Sequence, residues 1–444
     1  MRKIIANWGN FPAIESNEVQ FSTLAELKQI VCNSHVAIAR GNGRCYGDAS
    51  LADVTISTLK YDKILYFDIE KGIIECQAGI TLDQLLSVIV PAGWFLPVTP
   101  GTKFVTIGGV VASDVHGKNH HVDGSFSQHI LDLQVMLYNG EVVNCNKEHN
   151  ADLFEATCGG MGLTGVIVTV CFQLKKIESV YIRQTKIKAE NLEELLELFE
   201  ANKQYTYSVA WIDCLKKGKG FGRSVLLLGE HASVDELSDK QKAAGPLTTF
   251  APRSVSFPIT LPSWMLNNFT VRAFNFLYYH KNFKKTSCSL IPYEPFFYPL
   301  DAILHWNRGY GKKGFVQYQF VIPMEQKEGL IAILNKISEK GWGSFLAVLK
   351  IFGRQDDLIS FPMHGYTLAL DFPVRKGVFE FLDQLDELVL QYGGRIYLSK
   401  DARMKSQVFW KGYSHARQFS KLVQRFDPVK KFRSKQSSRL AITD

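Results

Sequence analysis

The chain has 444 residues, 46% of them hydrophobic and 21% charged, with a formal net charge of +8. That length exceeds one ordinary core and predicts two domains, and the balance of apolar to charged residues excludes a disordered polymer. No apolar run reaches the ~18 residues of a membrane span, and the start, MRKIIANWGNFP, is too short in apolar residues for a secretory signal, so a cytoplasmic or peripheral membrane location is expected.

In chain order, TLAELKQIV and TLDQLLSVI begin with the capping-box pairs Thr23/Glu26 and Thr81/Gln84 and read as helices. HVAIAR, VTISTL, KILYFDI and GIIECQAG read as strands. LDLQVMLYNGEVVNC reads as a hairpin turning at Asn139-Gly140, and GVIVTVCFQL as a further strand. Beyond residue 180, helices are predicted over 191–204, 325–340 and 377–391, the last stopped by Gly393-Gly394. GFVQYQFVIP and TLALDFPV are strands. Helix and strand mix without a regular βαβ rhythm, which predicts an α+β fold over a doubly wound sheet. Residues 245–285 carry prolines 246, 252, 258 and 262, which forbid one continuous helix, beside Trp264, Met265, Leu266, Phe274 and Phe276. These aromatics either pack on the second domain or form a membrane-facing lid.

The excess charge is confined to residues 401–444, with eleven Lys/Arg against three Asp. A solvated basic helix, a phosphate-bearing ligand and an anionic membrane surface all fit this tail; nucleic acid is not expected, because no binding module accompanies it. The eight cysteines are scattered, with no CxxC pair, as in a reducing compartment.

Three glycine-rich stretches fall within the first 178 residues. Arg40-Gly41-Asn42-Gly43-Arg44-Cys45-Tyr46-Gly47-Asp48 follows a strand, but its G-x-G-x-x-x-G spacing is not the dinucleotide-binding G-x-G-x-x-G. PGTKFVTIGG offers two close backbone approaches, and CGGMGLTGVI leads into a strand. Together they suggest one long, multi-phosphate ligand. Histidines 116, 120, 121 and 129 could suggest zinc, but metal sites usually need defined secondary structure and a convergent cysteine or carboxylate, and glycine and asparagine interrupt this run, so no metal site is expected.

RGNGRCYGDASL, PGTKFVTIGGVVASDVHGKNHHVDGSF, CGGMGLTGVI and YLSKDARM together resemble the flavin-dependent oxidases of the vanillyl-alcohol oxidase/p-cresol methylhydroxylase superfamily. Within it they look most like the decaprenylphosphoryl-ribose 2′-oxidase family, over nearly the whole chain. The resemblance implies an FAD-binding domain over 1–179, a substrate-binding cap domain over 180–395 and a C-terminal segment, 396–444, that returns to the first. It implies FAD contacts at 39–49, from Ala39 through the glycine loop to Ala49, and at Gly101, Thr106, Ile107, Gly108, Gly109, Ser113, Asp114, Val115, His116, Ile167 and Tyr397. Several relatives anchor FAD covalently through a histidine after a G-x-G; Arg44 stands there, which implies noncovalent FAD. Some family members carry a cysteine where this chain has Ala369.

The implied reaction is oxidation of the 2′-hydroxyl of a polyprenyl-phosphoryl ribose to a ketone, the first half of an epimerisation to the arabinose form that a separate NAD(P)H-dependent short-chain reductase completes. Lys400 is expected to hold the reacting hydroxyl, with His116 and Lys118 at the reacting face. Lys118, Gln317, Gln319 and Lys350 match substrate-pocket positions, and Trp306, Asn307 and Arg308 are weaker candidates. For Tyr397 and Lys400 to reach one site, the chain must bend between them, because a regular strand would point them to opposite faces. The competing readings are an aldonolactone or alditol oxidase acting on a soluble sugar, and a non-catalytic lipid- or phosphate-binding protein.

Overall fold

A computed structural model describes residues 2–249, 255–257 and 267–443. The α+β expectation holds: three principal sheets are flanked by short helices. Both predicted capping boxes close, at Thr23/Glu26 and Thr81/Gln84. The hairpin at Asn139-Gly140 joins strands Ile130–Met136 and Val142–Cys145, with Gly140 at φ 78°, a backbone region that β-branched residues avoid.

The first sheet is mixed, in the order Arg2–Ala6, Ala13–Gln20, Val54–Ser57, Ile38–Arg40. The second is antiparallel, in the order Ile64–Asp68, Ile73–Gln77, Val166–Gln173, Ile130–Met136, Val142–Cys145. The third has eight antiparallel strands drawn from residues 181–396: Thr286–Pro292, Tyr181–Ala189, Ser224–His231, Tyr207–Ile212, Val348–Phe352, Gly365–Pro373, Phe315–Pro323 and Arg395–Ile396.

The two faces of this large sheet differ because side chains alternate along each strand. Ala210, Ile212, Leu226, Leu228, Leu349, Leu368 and Leu370 join one buried cluster with the helices Leu192–Ala201, Lys327–Lys340 and Val378–Gln391. The intervening residues, among them Val209, Trp211, Leu227, Lys350, Thr367 and Ala369, line a cavity on the other face.

The C-terminal segment returns to the first sheet. Ala37 pairs with Phe432, and Lys431 donates from Nζ to the carbonyls of Val31 and Tyr138. Part of the tail's positive charge is paired within the chain, Arg439 on Asp48 and Asp401 and Arg403 on Asp383 and Asp386 in the interior, Lys435 on Asp53 and Arg425 on Asp152 at the surface.

Two stretches that the sequence reading did not assign to helices are helical. Ile107–Ala112 is a helix whose N-cap, Thr106, accepts from the Gly109 N–H; the local cap and the apolar run outweigh the glycine pair. His120–Asp123 forms one helical turn despite the neighbouring glycines. In the 245–285 stretch, the helix Asn268–His280 starts after the last proline; Pro252, Pro258, Pro262, Trp264, Met265 and Leu266 lie outside the described residues.

Candidate active site

The cavity, of about 860 Å³, lies between the glycine-rich stretches and the open face of the eight-stranded sheet. On one side stand Ala39, Gly41, Asn42, Gly43, Arg44, Cys45, Tyr46, Ala49, Gly101, Thr106, Gly108, Gly109, Ser113, Val115, His116 and Ile167. On the other stand Lys118, Gln317, Gln319, Lys350, Tyr397 and Lys400. Residues as far apart in sequence as Ala39 and Lys400 thus share one site.

Five expected cofactor contacts do not line it. Ile107 is core. Asp114 is fully buried, and its carboxylate accepts from Ser125, Ser127, Ser360 and Gln355, so it braces the 113–116 turn from behind. Arg40 turns to Asn7, Ala6 and Glu18. Asp48 is taken by Arg439. Gly47 packs against residue 401, where an added Cβ would stand 1.8 Å from the Asp401 carbonyl oxygen. Only glycine therefore lets the 40–48 loop register against the strand end that carries Lys400, and the Tyr46 N–H donates to the Ser399 carbonyl at 3.0 Å.

The chain does bend between Tyr397 and Lys400. Leu398–Lys400 is a single 3-10 turn, with the Lys400 N–H donating to the Tyr397 carbonyl. Tyr397 is fixed by its hydroxyl, which donates to the Ser113 carbonyl at 2.9 Å, and by stacking on Phe361 at 4.5 Å. The Lys400 Nζ lies 4.1 Å from the centroid of the Tyr46 ring.

Burial dominates the electrostatics. It lowers Lys118 to about 7, helped by the charge of Lys350. It lowers Lys350 to about 7, helped by the charge of Lys400. Lys400 falls to about 8, where the Asp371 carboxylate limits the drop. His116 is pushed well below its ordinary value by burial and by Lys350, so the imidazole is neutral. Gln319 Nε2 donates to His116 Nε2 at 3.0 Å and to Thr367 at 3.2 Å, which leaves the ring proton on Nδ1. Lys118 donates to the Phe297 carbonyl at 3.2 Å over the rings of Phe296 and Phe297.

Asp371 is a site residue that the sequence reading passed over. It is 1% exposed, its two oxygens accept from Gln317 at 2.7 Å and Tyr310 at 3.2 Å, and burial raises it to about 6. Its signal was present, as a lone carboxylate within the apolar strand TLALDFP. Of the weaker candidates, Trp306 lines the cavity, while Asn307 donates to the Trp8 carbonyl and Arg308 to that of Phe257.

The remaining histidines are held by separate partners. His120 meets Gln355, His121 donates to the Tyr205 carbonyl and His129 to that of Asp123.

The site fits a long, flat, anionic cofactor. A Cβ built on Gly101 would meet no protein atom within 4 Å, so the backbone is bare toward open space. Small residues at 39, 41, 43, 108 and 109 also line this wall, whereas the facing wall is polar and cationic. The fold and the cavity are those of an FAD-linked oxidase. Residues 19–146 match the family model of the FAD binding domain. The chain is 36% identical to decaprenylphosphoryl-β-D-ribose oxidase of Mycolicibacterium smegmatis, over 91% of this chain and 89% of that one, and it belongs to that family. It is 30% identical to an uncharacterised protein of Streptomyces coelicolor over 82% of this chain and all of the other. It also resembles L-gulonolactone oxidase of Mus musculus, at 27% identity over 41% of this chain and 42% of that one. The chain is thus an FAD-dependent oxidoreductase.

Proposed function

We propose that this enzyme oxidises the 2′-hydroxyl of a polyprenyl-phosphoryl-β-D-ribose to the 2′-keto sugar. The observation that carries the reading is the convergence of Lys118, Lys350 and Lys400 with neutral His116 in one buried cavity. Lys118 and Lys350, both lowered to about 7, carry their full charge at neutral pH only when an anion accompanies them, which suits a phosphoryl sugar better than a neutral lactone or alditol.

When bound, FAD supplies the acceptor for the hydride that leaves the sugar carbon. Residues 1–179 and 396–444 hold the cofactor noncovalently, and residues 180–395 hold the substrate. Lys118 and Lys350 neutralise the phosphoryl group. Lys400, as the neutral amine, takes the hydroxyl proton. The neutral imidazole of His116, oriented by Gln319, borders the reacting face. Tyr397, locked to Ser113, holds the turn that aims Lys400. A separate NAD(P)H-dependent reductase then completes the epimerisation.

Among the described residues no helix is long and apolar enough to cross a membrane. The lipid substrate reaches the site through peripheral contact, for which Phe269, Leu277 and Phe283 are exposed near Lys281 and Lys284.

Anaerobic mixing with a panel of sugars tests the reading. Polyprenyl-phosphoryl ribose should bleach the flavin, and L-gulonolactone and alditols should not. Bleaching by the soluble sugars alone would replace it with the lactone- or alditol-oxidase reading; no bleaching by any of them would leave a binding protein.

A further inference from the structure

Thr367, Ala369 and Asp371 alternate along one strand and so share one of its faces. Thr367 and Ala369 line the cavity itself. Asp371 ends the row one layer back, beside Gln317, its direct cross-strand partner. One carboxylate oxygen accepts from Gln317 Nε2 and the other from the Tyr310 hydroxyl, while the Asp371 N–H donates to Ser344 Oγ at 3.0 Å. Among the described residues these donors are neutral and no cation touches the carboxylate. A buried anion is thus held in place with its charge only partly offset.

Lys400 is its counterpart. Its amine rests over the face of the Tyr46 ring, which offers a quadrupole and no full charge. Each group supports the other's ionisation: Asp371 limits the fall of Lys400, and Lys400 limits the rise of Asp371. The other groups around the amine do not supply a negative charge. Lys350 and His116 are both depressed by Lys400, and burial keeps Tyr46 and Cys45 neutral. Beyond Tyr46, Arg44 and Asp301 oppose one another.

When the substrate hydroxyl is oxidised, its O–H bond breaks as an N–H bond forms on Lys400, and the C–H electron pair leaves as hydride to oxidised flavin. The amine becomes a cation in a cavity that already contains Lys118 and Lys350. A carboxylate that is ionised beforehand offsets this charge without rearranging. Asp371, at about 6, is ionised from pH 7 to 9, the range over which Lys400, at about 8, becomes the neutral acceptor.

We propose that Asp371 is a positioning residue: its carboxylate, held by Gln317 and Tyr310 behind the cavity wall, is the counter-charge for the proton that Lys400 takes from the substrate. The source of that proton rests on the function proposed above. Asp371 does not line the cavity and acts through Lys400.

Competitive acetylation with acetic anhydride, read by mass spectrometry of the peptide carrying Lys400, follows the neutral amine in the flavin-loaded protein without substrate. In Asp371→Asn, which keeps the side-chain shape, Lys400 should begin to label at lower pH than in wild type, while Lys118 labels as before. Anaerobic flavin reduction at saturating substrate should fall about tenfold at pH 9, because a weaker base drives the transfer less; removing the acceptor itself costs ~10²–10⁴-fold. KM should not change, because no ligand contact is lost. Tyr310→Phe separates charge from architecture. It loosens the Trp306–Tyr310 turn but keeps the carboxylate, so Lys400 should label as in wild type above pH 8.

An unchanged Lys400 labelling profile in Asp371→Asn, or an equal shift in Tyr310→Phe, would overturn the proposal. If Asp371→Asn does not hold its flavin, the double variant Asp371→Asn/Lys400→Met decides, because removing both members of a charge pair costs less than removing one. Recovery of flavin in the double variant supports the pairing, and no recovery overturns it. If the labelling shifts but polyprenyl-phosphoryl ribose does not bleach wild-type flavin, the proposed reaction fails and the pairing stands. If that substrate bleaches the flavin and Lys400 labels identically in both proteins, the reaction stands and the pairing fails.

Discussion

Replacing Lys400 with methionine removes the one amine that the 3-10 turn aims beside Tyr46 while keeping most of the buried side-chain volume. Loss of a positioned proton acceptor costs ~10²–10⁴-fold in the rate of flavin reduction. The wild-type pH dependence gives a second, independent magnitude. With Lys400 at about 8, about a tenth of the amine is neutral at pH 7 and about nine-tenths at pH 9. The reduction rate should therefore rise about tenfold between those two values, and that rise should vanish in Lys400→Met. The Asp371 carboxylate raises the Lys400 pKa, so Asp371→Asn should shift the inflection toward acid. Anaerobic stopped-flow bleaching at saturating substrate, across pH, measures all three. A Lys400→Met rate within a few fold of wild type would refute the assignment, as would a wild-type rate that falls as pH rises through 8.

Arg44, whose side chain cannot form a covalent flavin link, packs 4.1 Å over the Trp8 ring, and acid precipitation should release all the flavin into the supernatant; absorbance left on the pellet would contradict noncovalent binding. Binding a phosphate-bearing ligand should draw protons onto Lys118 and Lys350, both at about 7 in the free protein. Uptake should be large at pH 8, where both are mostly neutral, and near zero at pH 5, where both are already charged. Calorimetry in buffers of different ionisation enthalpy reads it directly. Arg439→Met leaves the buried carboxylates of Asp48 and Asp401 without their shared cation, a loss of about 3–5 kcal/mol. Because Asp48 belongs to the glycine loop and Asp401 adjoins Lys400, thermal unfolding should shift down and flavin retention should fall together.

Local signals were legible in the sequence. Thr23/Glu26, Thr81/Gln84 and Asn139-Gly140 each act within a few residues, so cap and turn chemistry determines them wherever the chain folds. The glycine-rich stretches were legible as backbone open to close approach, and all three contribute to the cavity lining. The Ile107–Ala112 helix was missed because a glycine pair lowers helix propensity, whereas packing of Ile107, Val110 and Val111 in the core decides the outcome. Tertiary structure alone decided that Asp114 faces inward to Ser125 and Ser360 while its neighbours Ser113 and Val115 face the cavity. It alone brought Asp371 under Gln317 and Tyr310, and placed Arg439 between Asp48 and Asp401. Those are contacts between residues tens to hundreds of positions apart. The sequence supplies their chemistry, but which groups meet, and how far burial moves their pKa values, is set by the register of an eight-stranded sheet whose pairing no local pattern encodes.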